Sequence, residues 1–299
     1  MICPPFLKKG DTVGIVAPAG KIGKEELEPS FEIIRNYGFD VVYSDNLFSE
    51  DNQFAGSDKI RTKEVQHLLD DESVKAIMFA RGGYGSVRII DNIDFSKFVT
   101  NPKWLVGYSD ITVFHSHVNR NLGVKTLHAS MPVNFTKNTK PALDSLFDSL
   151  KGKFHEYEFE QHPLNKAENA EGVLTGGNLS VLYSLIGSVS FPETEGNILF
   201  LEDLDEYLYH IDRMMMGLKR AGKLTNLAGL LIGGMTKMND NNIPFGKTAE
   251  EIIRDIVEEF DYPVFFGFPA GHIADNRALV MGGRVKLEIN NRNCSFVNL

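Results

Sequence analysis

Four short stretches of the chain put reactive side chains where apolar segments stop. In Val106-Gly107-Tyr108-Ser109-Asp110-Ile111-Thr112, an apolar run ends in a Gly-x-Ser turn and a helix-like segment follows. A hydroxyl on so tight a turn is presented outward, and the next backbone N–H faces the place where an oxyanion would form. The elbow of many hydrolases has a second glycine two residues after the serine, where this chain has Ile111. The same residues also suit a helix start, with Ser109 or Asp110 as the capping side chain. The motif alone leaves both readings open. Ala80-Arg81-Gly82-Gly83-Tyr84-Gly85-Ser86 closes another apolar run. Its glycines would let the backbone approach a ligand and present N–H groups to it. The spacing fits neither the dinucleotide fingerprint nor the P-loop, so the competing reading is a plain tight turn.

Ile198-Leu199-Phe200-Leu201 ends on two carboxylates, Glu202 and Asp203. An unpaired carboxylate is costly to bury. Either the two are solvated, or one has a partner; a histidine partner would be held in one tautomer by the acid. Alternation along a strand would send Glu202 and Asp203 to opposite sides, so that only one faces a crevice. The fourth stretch, Phe268-Pro269-Ala270-Gly271-His272-Ile273-Ala274-Asp275, sets His272 in a glycine-flanked loop. Such loops carry catalytic side chains and ordinary surface histidines alike. Among the other histidines, His115 and His117 are two apart and face different sides of a helix, a poor metal pair. His128 lies among small residues and could line a site. No Cys or His cluster has ligand spacing, so no metal is expected, and the acyl-transfer chemistry of a serine nucleophile would need no organic cofactor.

These stretches need a scaffold that brings strand ends together. In the first half, apolar runs at 12–17, 41–43, 76–80 and 104–106 read as short strands. Segments with helical spacing at 25–36 and 58–69 alternate with them. That rhythm implies a doubly wound, mostly parallel sheet covered on both faces. Neighbouring strand ends share one rim, so the Gly82-Gly83 turn and Ser109 could border one crevice. The polar stretch from about Lys151 to Glu171, with Pro163 inside, reads as a connection. The expected division is an N-terminal domain over 1–153, a linker over 154–170 and a smaller, β-rich α/β domain over 171–299. In that second part, 197–201 and 227–232 read as strands and 207–221 and 248–260 as helices. Residues 278–289 read as a hairpin turning at Gly282-Gly283.

Forty acidic residues against 31 basic ones give a formal net charge of −9 over 299 residues. With no basic run, that balance speaks against a nucleic-acid partner. No apolar run is long enough to span a bilayer, and the N-terminal residues lack the pattern of a signal peptide. A cytoplasmic protein is expected, with Cys3 and Cys294 as idle thiols in a reducing compartment.

GYSDIT (107–112), ARGGYG (80–85), FLEDLDEYLYHIDRMMMGL (200–218) and GHIADN (271–276) together resemble the LD-carboxypeptidases of the serine peptidase type. That family includes muramoyltetrapeptide carboxypeptidases and the related microcin C immunity peptidases. VAPAG (16–20) fits as well, although the family often has Ser where Ala19 stands. The resemblance covers nearly the whole chain. It implies a triad with Ser109 as nucleophile, Glu202 as acid and His272 as general base. It implies an oxyanion hole from the Asp110 N–H and an N–H of the Gly82-Gly83 turn. Arg81 and Tyr84 become candidates for substrate contact, Arg81 as partner of a terminal carboxylate or of a carboxylate across the domain interface. The implied activity is removal of a terminal D-alanine from a muropeptide tetrapeptide during cell-wall recycling, by a homodimer. The alternatives are a microcin-immunity-type peptidase that cleaves peptidyl or aminoacyl nucleotides, and a non-catalytic peptide-binding protein of the same fold.

Overall fold

The apolar runs of the first half are strands with both faces covered. The computed structural model describes residues 1–166, 169–290 and 293–299. Its strands are β1 (Thr12–Val16), β2 (Asp40–Val42), β3 (Val74–Phe79), β4 (Trp104–Gly107), β5 (Thr126–His128), β6 (Tyr157–Glu160) and β7 (Ala170–Asn178). They continue with β8 (Ile198–Leu204), β9 (Gly229–Thr236), β10 (Val264–Phe265), β11 (Leu279–Met281), β12 (Arg284–Asn290) and β13 (Asn293–Asn298).

The first sheet has the order β11-β5-β4-β3-β1-β2. Its strands are parallel except β11, which runs antiparallel to β5. Period-two alternation divides its side chains between two cores. Val13, Ile15, Ala76, Met78, Trp104 and Val106 pack under the helices Lys24–Asn36 and Lys140–Leu150. Val16, Ile77, Phe79 and Leu105 pack under Asp58–Asp70 and Thr112–His117. Each fully buried aliphatic or aromatic side chain contributes about 1.5–3 kcal/mol, so both layers are held firmly. Trp104, the chain's only tryptophan, is wholly buried and donates its Nε1–H to the Pro5 carbonyl at 3.1 Å.

The second sheet has the order β10-β9-β8-β7-β12-β13-β6. β7 to β10 are parallel, while β12, β13 and β6 join antiparallel. The helices Leu208–Arg220 and Ala249–Ile256 cover one face through Ile211, Met214, Met215, Leu218, Ile252 and Ile253. The fold is therefore two α/β domains: one built on a mostly parallel, doubly wound sheet of six strands, and a smaller C-terminal one built on a mixed sheet of seven strands with flanking helices.

Two stretches differ from their sequence reading. The 154–170 connection carries β6, which pairs with β13 and buries Tyr157 and Phe159. Its alternation of apolar and charged residues is that of an edge strand. Residues 278–289 are not a hairpin. β11 pairs with β5 in the first sheet, and after Gly282-Gly283 the chain enters β12 in the second. Gly282, with φ of 81°, turns the chain where it changes sheets.

Candidate active site

The carboxyl ends of β1, β3 and β4 meet at one rim of the first sheet. Ser109 follows β4 in the left-handed backbone region, with φ of 63°. A non-glycine residue there is held at a cost of order 1–3 kcal/mol, and such outliers gather at functional sites. Ile111 explains the departure from the two-glycine elbow. It is fully buried beneath the turn, and a Cβ on Gly107 would come within 2.9 Å of its side chain. The small residue is needed before the serine, and the position after it is given to the core. Ser109 and Asp110 open a short 3₁₀ turn, whose first N–H groups have no partner within the turn.

The glycine turn after β3 lies directly against this elbow. A Cβ on Gly82 would approach Ser109 Cβ and Oγ to 3.0 Å, and the Asp110 N to 3.4 Å. Gly20 N–H donates to the Gly82 carbonyl at 3.1 Å, tying the Pro18–Gly20 segment to the same turn. Buried Arg61 holds it from below, reaching the Pro18 carbonyl, the Gly85 carbonyl (3.0 Å) and the Asp58 carboxylate. Asp110 is buried and accepts the Ser86 N–H at 2.8 Å. Burial pushes its carboxyl pKa upward against that bond.

Glu202, on β8, has no solvent exposure. Its Oε2 accepts His272 Nδ1–H at 2.6 Å and the His272 backbone N–H at 3.2 Å. Close packing of the glycine-flanked loop allows this: a Cβ on Gly271 would lie 2.7 Å from that oxygen. Burial raises the Glu202 pKa, but the charge and hydrogen bond of His272, with help from His128 and Asn178, carry it below its ordinary value. Burial lowers the His272 pKa, and the Glu202 charge and hydrogen bond overcome that, so the imidazole is more basic than usual. The Tyr108 ring lies 4.7 Å from the His272 ring between centroids, and its hydroxyl donates to Asn134 Oδ1 at 3.1 Å.

Arg81, Gly82, Gly83, Ser109 and His272 share the wall of a pocket of about 440 Å³ between the domains. Asn134, Asn178, Ser180, Asp203 and Asp205 add to its polar lining. Ser109 and His272 are brought to one cavity, though Ser109 Oγ makes no hydrogen bond to the imidazole among the described residues. Such bonds often tighten only around substrate. Arg81 donates to the Lys21 carbonyl at 2.8 Å and has no carboxylate partner among the described residues. Tyr84, expected at the substrate, stands outside the pocket wall. It is half exposed, and its ring is 6.1 Å from that of Phe54. Positive φ at Gly83 and Gly85 carries it out of the turn. Among the described residues, no group of three or more His, Cys, Asp or Glu is placed to hold a metal ion.

Asn178 escaped the sequence reading. It ends β7 and caps the helix Leu179–Ser184, accepting the Val181 N–H at 3.2 Å. Its Nδ2 reaches both Glu202 Oε1 (3.2 Å) and Asp203 Oδ1 (2.9 Å). Its backbone N–H donates to Thr112 Oγ1, three residues after Ser109, at 3.0 Å. The signal was present as Gly176-Gly177-Asn178, a close backbone approach followed by an N-cap residue. Of Glu202 and Asp203, only Asp203 lines the pocket, while Glu202 is buried behind it; the carboxylate on the crevice wall is therefore not the one that the resemblance names as the acid. The pair sits at the register shift between β8 and β9, and one Asn178 amide reaches both. His115 is a satisfied core residue bonded to the Gly107 carbonyl and Thr126 Oγ1. His128 is wholly buried between Phe200 and Tyr108.

A serine on a strained turn, opening onto a pocket that also holds a buried acid–imidazole pair, puts the molecule among the serine-type hydrolases. Comparison with known proteins narrows the class. Residues 13–129 match the LD-carboxypeptidase N-terminal domain and 171–287 the LD-carboxypeptidase C-terminal domain. The chain belongs to the LD-carboxypeptidase family. It is 35% identical to the probable murein peptide carboxypeptidase of Bacillus subtilis, over 95% of this chain and 91% of that one. The muramoyltetrapeptide carboxypeptidase of Oxalobacter formigenes superposes with a TM-score of 0.87 at 25% identity, covering 95% and 97% of the two chains. The microcin C7 self immunity protein MccF, solved in complex with aspartyl sulfamoyl adenosine, shares the fold. Its TM-score is 0.88 at 21% identity, covering 100% and 99%.

Proposed function

We propose that the protein is a serine carboxypeptidase that hydrolyses the bond before the terminal D-alanine of muropeptide tetrapeptides. The names of the Bacillus and Oxalobacter relatives support the substrate. The observation that carries the mechanism is the 2.6 Å Glu202–His272 contact, opening on the pocket that Ser109 also lines. In this reading His272 Nε2 takes the Ser109 proton as Oγ attacks the scissile carbonyl. The oxyanion is met by the Asp110 N–H and an N–H of the Gly82-Gly83 turn. Glu202 stabilises the imidazolium, which then protonates the leaving amine, and water attacks the acyl-enzyme with His272 again as base. Arg81, a cation on the pocket wall with no carboxylate partner among the described residues, suits the free carboxylate that an exopeptidase must recognise.

The microcin-type alternative would call for an aromatic face to stack on a nucleobase. The buried Trp104, hydrogen-bonded to Pro5, is not free for that role, and among the described residues no Phe, Tyr or Trp lines the pocket, which favours the cell-wall peptide. A cytoplasmic setting suits the two free cysteines, and no helix among the described residues is long and apolar enough to cross a membrane. We take the homodimer to be the working form, as the family resemblance implies.

The test is mass spectrometry of a tetrapeptide incubated with the wild type and with Ser109→Ala, together with fluorophosphonate labelling. The wild type should release D-alanine and be labelled at Ser109. Ser109→Ala should do neither, with turnover reduced by roughly 10⁴- to 10⁶-fold. A folded Ser109→Ala protein with near-normal turnover would overturn the reading.

A further inference from the structure

Beside the Glu202–His272 pair lies a second buried carboxylate that the mechanism above does not use. Asp203 is 2% exposed. Its Oδ1 accepts from Asn178 Nδ2 at 2.9 Å and from the Leu204 N–H at 2.8 Å, and its Oδ2 accepts the Ser180 N–H at 2.9 Å. The same Asn178 amide is bonded to Glu202 at 3.2 Å. Asn178 cannot turn over to relieve this, because its Oδ1 is engaged by Ser180 Oγ (2.8 Å) and the Val181 N–H (3.2 Å). Asp203 and the N-terminal turn of Leu179–Ser184 thus fix the orientation in which Asn178 presents its N–H to the acid. A further link runs through Thr236 Oγ1, within 3.5 Å of the Asp203 carbonyl and 3.2 Å of the His272 carbonyl.

We propose that Asp203 is a positioning residue: as a carboxylate it locks Asn178 onto Glu202, and on taking a proton it releases the Glu202–His272 pair from its active geometry. The proposal rests on the triad reading and deepens it. An ionised Asp203 fills all three of these bonds as acceptor. A protonated one gives up a lone pair to its O–H, which none of these three partners can accept, and loses the charge that strengthens its bond from Asn178. The charged groups facing it are Glu202 on its own strand and His272 from the loop after β10, with Arg81 and Asp205 on the same pocket wall. Leu179–Ser184 and β9 meet it with Ser180 and Thr236, which do not titrate. Burial and then the Glu202 charge push the Asp203 pKa up to about 7. The ionised Asp203 in turn adds to the basicity of His272. The acid limb of activity then depends on two deprotonations, at Asp203 and His272.

The experiment measures kcat and KM for tetrapeptide hydrolysis from pH 5 to 9 with the full chain, its Asp203→Asn and Asn178→Ala variants, and the double variant. Circular dichroism checks folding. The wild-type acid limb should be steeper than one proton. In Asp203→Asn it should fall to one proton and move to lower pH, since the charge that raised the His272 pKa is gone. At its optimum this variant should lose about 10- to 100-fold in kcat with little change in KM. Asn178→Ala should lose a similar factor, and the double variant no more than the worse single one. A folded Asp203→Asn protein with the wild-type limb overturns the proposal. So do losses that multiply in the double variant, which carries the test if Asp203→Asn does not fold alone. The triad reading fails separately, by retained hydrolysis in Ser109→Ala.

Discussion

Replacing Glu202 by Gln tests the acid in its actual surroundings. Its Oε2 accepts two donors from His272, the Nδ1–H and the backbone N–H, while Oε1 accepts one from Asn178. A glutamine must put its NH₂ at one of these places. At the Oε2 place it would meet two donors; at the Oε1 place only Asn178 Nδ2. The second arrangement wins, so His272 keeps its tautomer and the conflict moves to Asn178. One buried donor facing another costs about 1–3 kcal/mol, a fall in melting temperature of several degrees at roughly 2–4 °C per kcal/mol for chains of this order. What is lost in catalysis is the negative charge that stabilises the imidazolium. We expect kcat to fall by about 10²- to 10⁴-fold, roughly 3–5 kcal/mol of barrier, less than for Ser109→Ala. The His272 pKa should drop with the charge gone, so the residual activity should extend to lower pH. Rates of D-alanine release across pH 5–9, with a thermal melt of each protein, give both numbers. A folded Glu202→Gln protein with kcat within fivefold of wild type, or with its acid limb moved to higher pH, would refute the reasoning.

Arg81→Ala should raise KM for a tetrapeptide at least tenfold, with a smaller change in kcat; an amidated tetrapeptide should show no such difference between the two proteins. His115 and His128 should make the fold acid-sensitive. Burial lowers their pKa values to about 3 and about 4 from 6.5. Below pH 6.5 the unfolded chain takes up protons that the fold refuses, and stability falls with pH until the folded-state values are reached. For His128 the loss is at most roughly 3 kcal/mol at 1.36 kcal/mol per pKa unit. Melting temperatures between pH 7 and 4 should therefore decline, and His128→Phe should flatten the decline.

The candidate site residues were legible because each stands at or shortly after the end of an apolar run. Ser109, the Gly82-Gly83 turn, Glu202 and His272 were located by that rule and by motif order. The structure brings all of them to one pocket or, for Glu202, just behind it. The doubly wound first sheet was legible from its short, continuous apolar runs. What escaped depended on partners far off in the chain. β6 looks polar because only one of its faces is covered. Gly282-Gly283 reads equally well as a hairpin turn or as a passage between sheets, and only the partners of β11 decide. Asn178 carries no charge and no family motif, and its importance comes from what lies opposite it on β8. Glu202 lies opposite Asn178 in the β7–β8 pairing, and at the register shift toward β9 the same Asn178 amide reaches Asp203 as well, which no local pattern announces.

The pairing of β11 with β5 bears on how the chain is made. Thr126 and Met281 are opposite one another in the first sheet, about 150 residues apart in the chain. Until the segment holding Leu279–Met281 has left the ribosome, the β5 edge of that sheet stays open, with its backbone N–H and C=O groups free to pair with another chain. The first domain therefore cannot finish folding during synthesis of its own residues, and closing so long a loop is slow. The segment that closes it is the one that carries His272 on its way from β10 to β11. Sealing the exposed edge and delivering the histidine to the pocket are, for a newly made chain, a single late event.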